Sequence, residues 1–228
     1  GPVTGTGAAI DFGMQTTAGT YTVVATNTTT GCSNTMTGSV VVGVLPLPVL
    51  FTVTGGGNYC TGGAGVMIGL TGSTTGTMYQ LRNGLANVGA QIPGTGSALS
   101  FGLHTAAGTY TVVATSTSTT CTNTMTGAVT ITLDPLPTVY AVMGGGNYCA
   151  GGAGVHVTLN TSDPGIDYQL YNGTMAVGST VAGTGSMLDF GALTAVGTYT
   201  VSATNALTGC MNNMVGSATI AIDPLPAV

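Results

Sequence analysis

The sequence predicts an all-β protein built of tandem β-sandwich modules, and three observations support this prediction. Residues 18–26 read AGTYTVVAT, recur letter for letter at 107–115, and return as VGTYTVSAT at 196–204, with a spacing of 89 residues each time. Thr, Val and Gly dominate the chain. No stretch places apolar residues at the helical period of about 3.6. Self-similarity at a fixed period indicates an array of repeated structural units.

The period predicts the domain organisation. Cysteines, tyrosines and the prolines of three PLP triplets all keep the 89-residue spacing, without insertion or deletion. One complete module is therefore expected at residues 49–137. A second is expected at 138–228, which includes the start of a further linker. Residues 1–48 match the C-terminal half of a third module, whose beginning we expect to precede this sequence.

Proline-rich linkers are expected where modules meet, because proline favours extended and semi-rigid geometry. The linker prolines are Pro46, Pro48, Pro135, Pro137, Pro224 and Pro226.

Within residues 49–137, runs of Val, Ile, Leu, Thr and Tyr predict seven short strands. These strands are 50–54, 65–70, 78–82, 85–91, 98–101, 109–115 and 129–133. Asn-Gly in RNG (82–84) and YNG (171–173) predicts tight hairpin turns, because this pair suits the positive φ of two-residue loops. The GGG runs at 55–57 and 144–146 are interpreted as turns or bulges, since no lysine or helix follows to make a phosphate loop. Seven strands at such short intervals are typical of a sandwich.

The chain is almost uncharged, which excludes several classes of partner. Charged residues make up 3% of the sequence, with Arg82 the single basic side chain against six aspartates. Ordinary domains carry about a quarter. Nucleic acid is excluded as a partner because its phosphates require Lys and Arg. No membrane insertion is expected in this segment, since its longest apolar run, near 40–51, contains two prolines and is too short to span a bilayer. A hydroxyl-rich surface with little repulsion favours copies of the chain as partners, in head-to-tail or lateral assembly, and glycans.

Four motifs carry a resemblance to a known family. They are the PLP triplets, GGGNYCxGGAGV at 55–66 and 144–155, YQLxNG at 79–84 and 168–173, and the AGTYTVxATxxxTxC run. Together they resemble the Ig-like tandem repeats of giant secreted adhesins and surface filaments of Bacteroidota-type bacteria. The resemblance covers the whole chain and implies an immunoglobulin-like sandwich in an extracellular or cell-surface stalk.

The recurring tyrosines resemble the tyrosine corner of such sandwiches, in which the phenol bonds back to the chain at the turn before the penultimate strand. The residues concerned are Tyr21, Tyr110 and Tyr199. Antibody domains place a cysteine two residues later, whereas this chain has valine at each of these positions.

The implied topology favours disulfide bonds between modules. Cys60 precedes the second sandwich strand, at the end nearest the next module, whereas Cys121 follows the penultimate strand at the opposite end. A strand length of about 20 Å would separate them, and a disulfide needs Cα atoms within roughly 4.4–6.8 Å. In a head-to-tail array Cys60 instead approaches Cys210, so we predict a Cys60–Cys210 bond.

Two alternatives for the cysteines stay open, namely bonds within modules (Cys60–Cys121 and Cys149–Cys210) and free or intermolecular thiols. Under the inter-module prediction, Cys121 and Cys149 pair outside this sequence and Cys32 has no partner within it. Regularly placed cysteines in a hydroxyl-rich chain favour an oxidising, extracellular setting.

No catalytic residue, cofactor or metal site is predicted. An enzyme needs a nucleophile with a base, paired carboxylates or a metal cluster. His104 and His156 occupy different positions in their modules. Asp134 and Asp223 match each other, but Leu45 at the equivalent earlier position argues against calcium at the junctions.

Three sequons permit N-glycosylation where the machinery exists, at Asn27, Asn160 and Asn172. The favoured function is a non-enzymatic extracellular stalk or filament, stiffened by proline linkers and disulfides. The alternative is an adhesin that binds carbohydrate or a host or cell surface. The absence of Trp and an aromatic content of 6% disfavour that alternative.

Overall fold

A computed structural model describes residues 1–226 as β-strands joined by turns and loops. The last two residues of the predicted unit 138–228 lie outside this part. No helix occurs among the described residues, so they contain none that could cross a membrane. The all-β prediction is confirmed.

Residues 1–48 hold four short strands. They are β1 (Gly19–Tyr21), β2 (Val24–Thr26), β3 (Ser33–Thr35) and β4 (Val40–Val42). β1 pairs with β4 and β2 with β3, both antiparallel, to give two separate two-stranded sheets.

Residues 49–137 hold nine strands in two sheets. They are β5 (Val53–Gly55), β6 (Gly57–Cys60), β7 (Val66–Leu70), β8 (Thr77–Asn83), β9 (Ala86–Pro93), β10 (Leu99–His104), β11 (Gly108–Ser116), β12 (Thr122–Thr124) and β13 (Val129–Asp134). One sheet has the order β10-β7-β5 and the other β6-β13-β11-β8-β9, with β12 also paired to β11.

The next 89 residues repeat this arrangement strand for strand. They hold β14 (Val142–Gly144), β15 (Gly146–Cys149), β16 (Val155–Leu159), β17 (Ile166–Asn172), β18 (Met175–Ala182), β19 (Leu188–Leu193), β20 (Gly197–Asn205), β21 (Met211–Asn213) and β22 (Ala218–Asp223). Their sheets have the orders β14-β16-β19 and β15-β22-β20-β17-β18.

Each pair of sheets encloses its own hydrophobic core. The first core includes Ile68, Leu70, Tyr79, Leu81, Tyr110, Val112 and Ile131, and the second Val157, Leu159, Tyr168, Leu170, Tyr199, Val201 and Ile220. Alternate residues of the long strands point inward, as the period of two in a strand requires. Two sheets around one core make each unit a β-sandwich. The unit boundaries at 48/49 and 137/138 stay predictions from the repeat.

The structure has nine strands in each complete unit where the sequence analysis expects seven. The predicted strand 50–54 is in fact β5, and the chain then crosses to the other sheet as β6. Gly55, Gly56 and Gly57 make this crossing with φ values of 93°, 73° and 123°. A Cβ on Gly55 would lie 2.0 Å from the carbonyl oxygen of Met67, so glycine is required there. The additional strands are β6 and β12.

Candidate functional site

The candidate functional site is the joint between the two complete units, where a disulfide joins Cys60 to Cys210. Their Cα atoms are 5.5 Å apart, although 150 residues separate them in sequence. Cys210 is fully buried and Cys60 is half-buried. The bond therefore has the inter-module pairing that the sequence analysis favours, and the intra-module pairings Cys60–Cys121 and Cys149–Cys210 do not form.

The crossing at the three glycines places Cys60 at the joint. β6 runs parallel to β13, and Cys60 stands in register with Asp134, the last residue of β13 and the first of the linker. The backbone N–H of Thr61 donates to the carbonyl oxygen of Asp134 at 2.9 Å. One end of the disulfide is thus fixed beside the point where the linker leaves the first complete unit.

The linker is fixed at its other end by Asn212, which lies two residues after Cys210. The side-chain amide of Asn212 donates to the carbonyl oxygen of Pro137 at 2.9 Å. Pro137 is buried, whereas Pro135 is exposed. The linker and the disulfide therefore cross the same junction side by side, and each is held at both ends.

Two covalent connections across one junction resist hinging, which a single linker would permit. In the chain-entropy model, closing a loop of this length stabilises the folded state by about 5 kcal/mol. The disulfide also requires an oxidising environment to persist. The chemistry of this site is mechanical, because it holds two sandwiches in a fixed relation.

The same clamp recurs at the preceding junction, where the side-chain amide of Asn123 donates to the carbonyl oxygen of Pro48 at 2.9 Å. Pro48 is buried, and Pro46 is exposed. Sequence reasoning missed these asparagines. The signal that could have identified them is the repeat itself, since Asn34, Asn123 and Asn212 keep the 89-residue spacing. At the far end of the described chain, Pro224 and Pro226 are both exposed.

The other three cysteines carry no disulfide within residues 1–226. Cys32 and Cys149 are exposed and Cys121 is half-buried. Cys149 ends β15 as Cys60 ends β6, and Cys121 precedes β12 as Cys210 precedes β21. The two halves of a joint therefore recur at both ends of the pair of complete units. Pairing of Cys121 and Cys149 with cysteines outside this sequence stays a prediction.

The three recurring tyrosines each bond back to the chain four residues earlier. Tyr110 donates to the carbonyl oxygen of Ala106 at 2.8 Å, Tyr199 to that of Ala195 at 2.7 Å, and Tyr21 to that of Thr17 at 2.8 Å. The rings of Tyr110 and Tyr199 are buried. This is the geometry of a tyrosine corner, and it stabilises the turn before the longest strand of each complete unit.

The histidines and the scattered aspartates do not converge. Nε2 of His104 lies 3.1 Å from the carbonyl oxygen of Phe101, within the same strand. Nδ1 of His156 lies 2.8 Å from a carboxylate oxygen of Asp189 in an exposed ion pair. The His156 hydrogen bond lowers the pKa of Asp189 below its usual value. Across residues 1–226, no three His, Cys, Asp or Glu side chains stand close enough to hold a metal ion.

One tyrosine–carboxylate contact distinguishes the second complete unit from the first. The phenol of Tyr140 donates to Oδ1 of Asp163 at 2.6 Å, and this bond raises the pKa of Tyr140. The backbone N–H of Asp163 in turn donates to the hydroxyl of Tyr168 at 2.9 Å. Burial raises the pKa of Tyr168. Phe51 and Thr74 occupy the equivalent positions 89 residues earlier, so this contact is a feature of one unit and not of the repeat.

The three sequon asparagines differ in their surroundings. Asn27 is exposed, and its Oδ1 accepts hydrogen bonds from the backbone N–H groups of Thr29 and Thr30. Asn160 is exposed and its Oδ1 accepts from the N–H of Ala141. Asn172 is half-buried, and its amide donates to the carbonyl oxygen of Val196. Asn27 and Asn160 therefore lie open to solvent, whereas Asn172 takes part in the fold. Glycosylation at each stays a prediction.

Comparison with known proteins supports the Ig-like character of the repeats. Residues 137–224 match the family model described as an Ig-like domain, CHU_C associated. No curated protein matches the chain.

Several solved structures share the general fold at low identity. The fibronectin(III)-like modules of Clostridium thermocellum CbhA are 13% identical, with a TM-score of 0.39 over 76% of this chain and 95% of theirs. Murine CEACAM1b is 13% identical, with a TM-score of 0.36 over 76% of this chain and all of its own. A Bacteroides ovatus protein, SGBP-B of the mixed-linkage glucan utilization locus in complex with a mixed-linkage heptasaccharide, is 15% identical, with a TM-score of 0.25 over 91% of this chain and 54% of its own.

Proposed function

We propose that this chain is a structural segment of an extracellular stalk or filament, in which Ig-like sandwiches are held end to end by disulfide-locked joints. One observation carries the proposal, namely that the Cys60–Cys210 bond and the linker cross the same junction. Binding modules that must adapt to a ligand gain little from such a joint. A load-bearing array gains stiffness at every repeat.

The repeat supports an array rather than a single joint. Cys121 with its Asn123–Pro48 clamp matches the Cys210 side of the joint, and Cys149 matches the Cys60 side. Each complete unit thus carries one half-joint at each end. Rigid links of this kind multiply in length when they are repeated.

The near absence of charge supports association of copies and an extracellular setting. The one ion pair among residues 1–226 joins His156 to Asp189, and the surface is otherwise uncharged and rich in hydroxyls. Copies of the chain, packed head to tail or laterally, are the partners we propose. Disulfide chemistry and the Ig-like family match to residues 137–224 are consistent with a cell-surface or secreted location.

Electron micrographs of the native material, with class averages, test the proposal. We expect beaded rods or fibres with an axial repeat of about 35 to 45 Å, which is the length of one sandwich with its linker. In the Cys60→Ser variant we expect a broader distribution of angles between adjacent beads. Cys32→Ser, which removes an exposed free thiol, is the matched control and should leave the rods unchanged. Flexible single particles in the unmodified protein would contradict the proposal.

A glycan array separates this function from the adhesin alternative. The stalk should give no saturable signal, whereas an adhesin should bind one class of glycan at a defined affinity. Saturable binding that the Cys60→Ser variant retains would favour the adhesin.

A further inference from the structure

Residues 1–48 leave open a strand edge that both complete units cover. Residues 110–116 of β11 pair antiparallel with residues 83–77 of β8. The equivalent residues 21–27 include β1 and β2, which pair only with β4 and β3. An open edge of this kind presents unpaired N–H and C=O groups and is a template for a further strand. We call residues 21–27 the acceptor edge.

The face beside the acceptor edge is apolar and exposed, although its counterparts are buried. Val23 is 38% exposed and Met36 is 42% exposed. Val112 and Met125, their counterparts in the first complete unit, are 0% and 3% exposed. Tyr21 is also only half-buried. The same sequence pattern therefore builds a core in one place and an uncovered face in another.

The complete units show what covers such a face. The residues packed on Val112 and its neighbours within the core include Val53, Ile68, Leu70, Tyr79 and Leu81. All five belong to residues 49–89, which also supply the strand that pairs with β11 and the parallel strand β6 that pairs with β13. A segment with this pattern can therefore cover both the edge and the face of residues 1–48.

Cys121 provides an independent observation at the same place. It is free and half-buried, and the Asn123–Pro48 clamp lies beside it as the Asn212–Pro137 clamp lies beside Cys210. A segment with the pattern of residues 49–89 carries a cysteine at the position of Cys60. Seated on residues 1–48, it would bring this cysteine to Cys121 as Cys60 is brought to Cys210.

We infer that residues 1–48 and Cys121 form an acceptor site for a polypeptide segment with the sequence pattern of residues 49–89, which adds strands and then forms a disulfide with Cys121. The inference rests on the proposed array and names the partner of its next joint. Formation of the bond oxidises the two thiols and reduces one low-molecular-weight disulfide, such as glutathione disulfide, to two thiols that take up the two protons.

The test adds a synthetic peptide with the sequence of residues 49–89 to the full chain in the presence of glutathione disulfide. We expect one peptide per chain, linked through its cysteine to Cys121, as read by mass spectrometry of protease digests. Cys32 and Cys149 are more exposed than Cys121 and serve as internal controls, because unguided oxidation would favour them. Peptide distributed over Cys32 and Cys149 as readily as Cys121 overturns the inference.

Two variants separate strand addition from simple thiol reactivity. Val23→Asp places a carboxylate on the face to be buried, and we expect adduct formation to slow by about tenfold or more. Val24→Asp is the matched control, since Val24 is 58% exposed and its side chain points to the other side of the strand. It should react within about twofold of the unmodified chain, as strand alternation requires. Equal rates for the two variants overturn the inference.

An extended chain gives the same answer if the peptide associates with itself. Residue 1 is the counterpart of Ala90 in the repeat, so a second copy of residues 49–89 placed before Gly1 continues in register. We expect its cysteine to bond to Cys121 and the amides of residues 21–27 to become protected from hydrogen exchange. A free Cys121 thiol in this extended chain overturns the acceptor site, whereas an adduct without rods in micrographs contradicts only the proposed stalk.

Discussion

The side-chain amide of Asn212 donates a hydrogen bond to the carbonyl oxygen of Pro137 at 2.9 Å, and this bond connects the linker to the strand that begins beside Cys210. A linker with two prolines is extended but not fixed in direction. The bond from Asn212 gives it a direction, and the disulfide then finds its partner within bonding distance. Asn123 and Pro48 make the same contact one repeat earlier.

Asn212→Ala should therefore loosen the joint. We expect the free energy of unfolding of the second complete unit to fall by about 1 kcal/mol, the typical value of one hydrogen bond, and re-formation of the Cys60–Cys210 bond after reduction to slow. Asn213→Ala is the control, because Asn213 is exposed and its side chain makes no hydrogen bond among residues 1–226. Thermal unfolding and quenched reoxidation measure the two effects. Equal behaviour of the two variants would show that the clamp has no such role.

Tyr199→Phe should destabilise the second complete unit by about 1 kcal/mol, because it removes one partly buried hydrogen bond and leaves the ring in place. The lost bond is the one to the carbonyl oxygen of Ala195. Tyr171→Phe serves for comparison, since the Tyr171 ring is half-buried and its hydroxyl has no partner in the described part of the chain. Chemical denaturation reads both. A Tyr199→Phe chain as stable as Tyr171→Phe contradicts a structural role for the corner.

Thr120→Gly should stabilise the first complete unit. Thr120 has φ of 59°, and it is the sole non-glycine residue with positive φ among residues 1–226. Gly31 and Gly209 occupy the equivalent turn position with φ of 71°. A β-branched residue in this region is strained by about 1 kcal/mol or more. The reciprocal change Gly209→Thr should cost the second unit a similar amount. Stability changes of the same sign in both variants would contradict this explanation.

The His156–Asp189 pair predicts a small dependence of stability on acidic pH. The folded-state pKa of Asp189 is lowered by the hydrogen bond from His156. The stabilisation is therefore present above the unfolded-state pKa of Asp189 and is lost as the pH falls through its folded-state pKa. The pair is exposed, so its contribution should stay below about 1 kcal/mol. An NMR titration should show the pKa of Asp189 rising in His156→Met, which installs the residue of the first complete unit. An unchanged pKa would contradict the assignment.

The sandwich could be predicted from sequence because its determinants are local and repeated. Turn glycines, alternating Val and Thr, and a tyrosine ahead of the longest strand recur at one spacing, so chance matches are excluded by the repeat. The strand β6 could not be predicted in this way. Its residues, Gly57 to Cys60, are ordinary for a turn, and they form a strand only because β13 offers a parallel partner more than 70 residues later.

The joint was predictable in part. The Cys60–Cys210 pairing follows from the expected topology of successive sandwiches, because the two ends of a module face different neighbours. The asparagine clamp does not follow, since an Asn within a short polar strand gives no indication of which carbonyl its amide will meet. The pairing of His156 with Asp189 is equally hidden, because it depends on the register of β16 against β19.

The most direct measurement is a disulfide map of the oxidised chain, digested with trypsin and with a protease that cleaves before aspartate. Arg82 is the single tryptic site and Asp134, Asp189 and Asp223 bound the relevant peptides, so Cys60, Cys121 and Cys210 fall in the separate peptides 11–82, 83–133 and 189–222. The structure predicts peptide 11–82 linked to peptide 189–222. Peptide 11–82 linked instead to peptide 83–133 would place the bond within one module and contradict the locked joint.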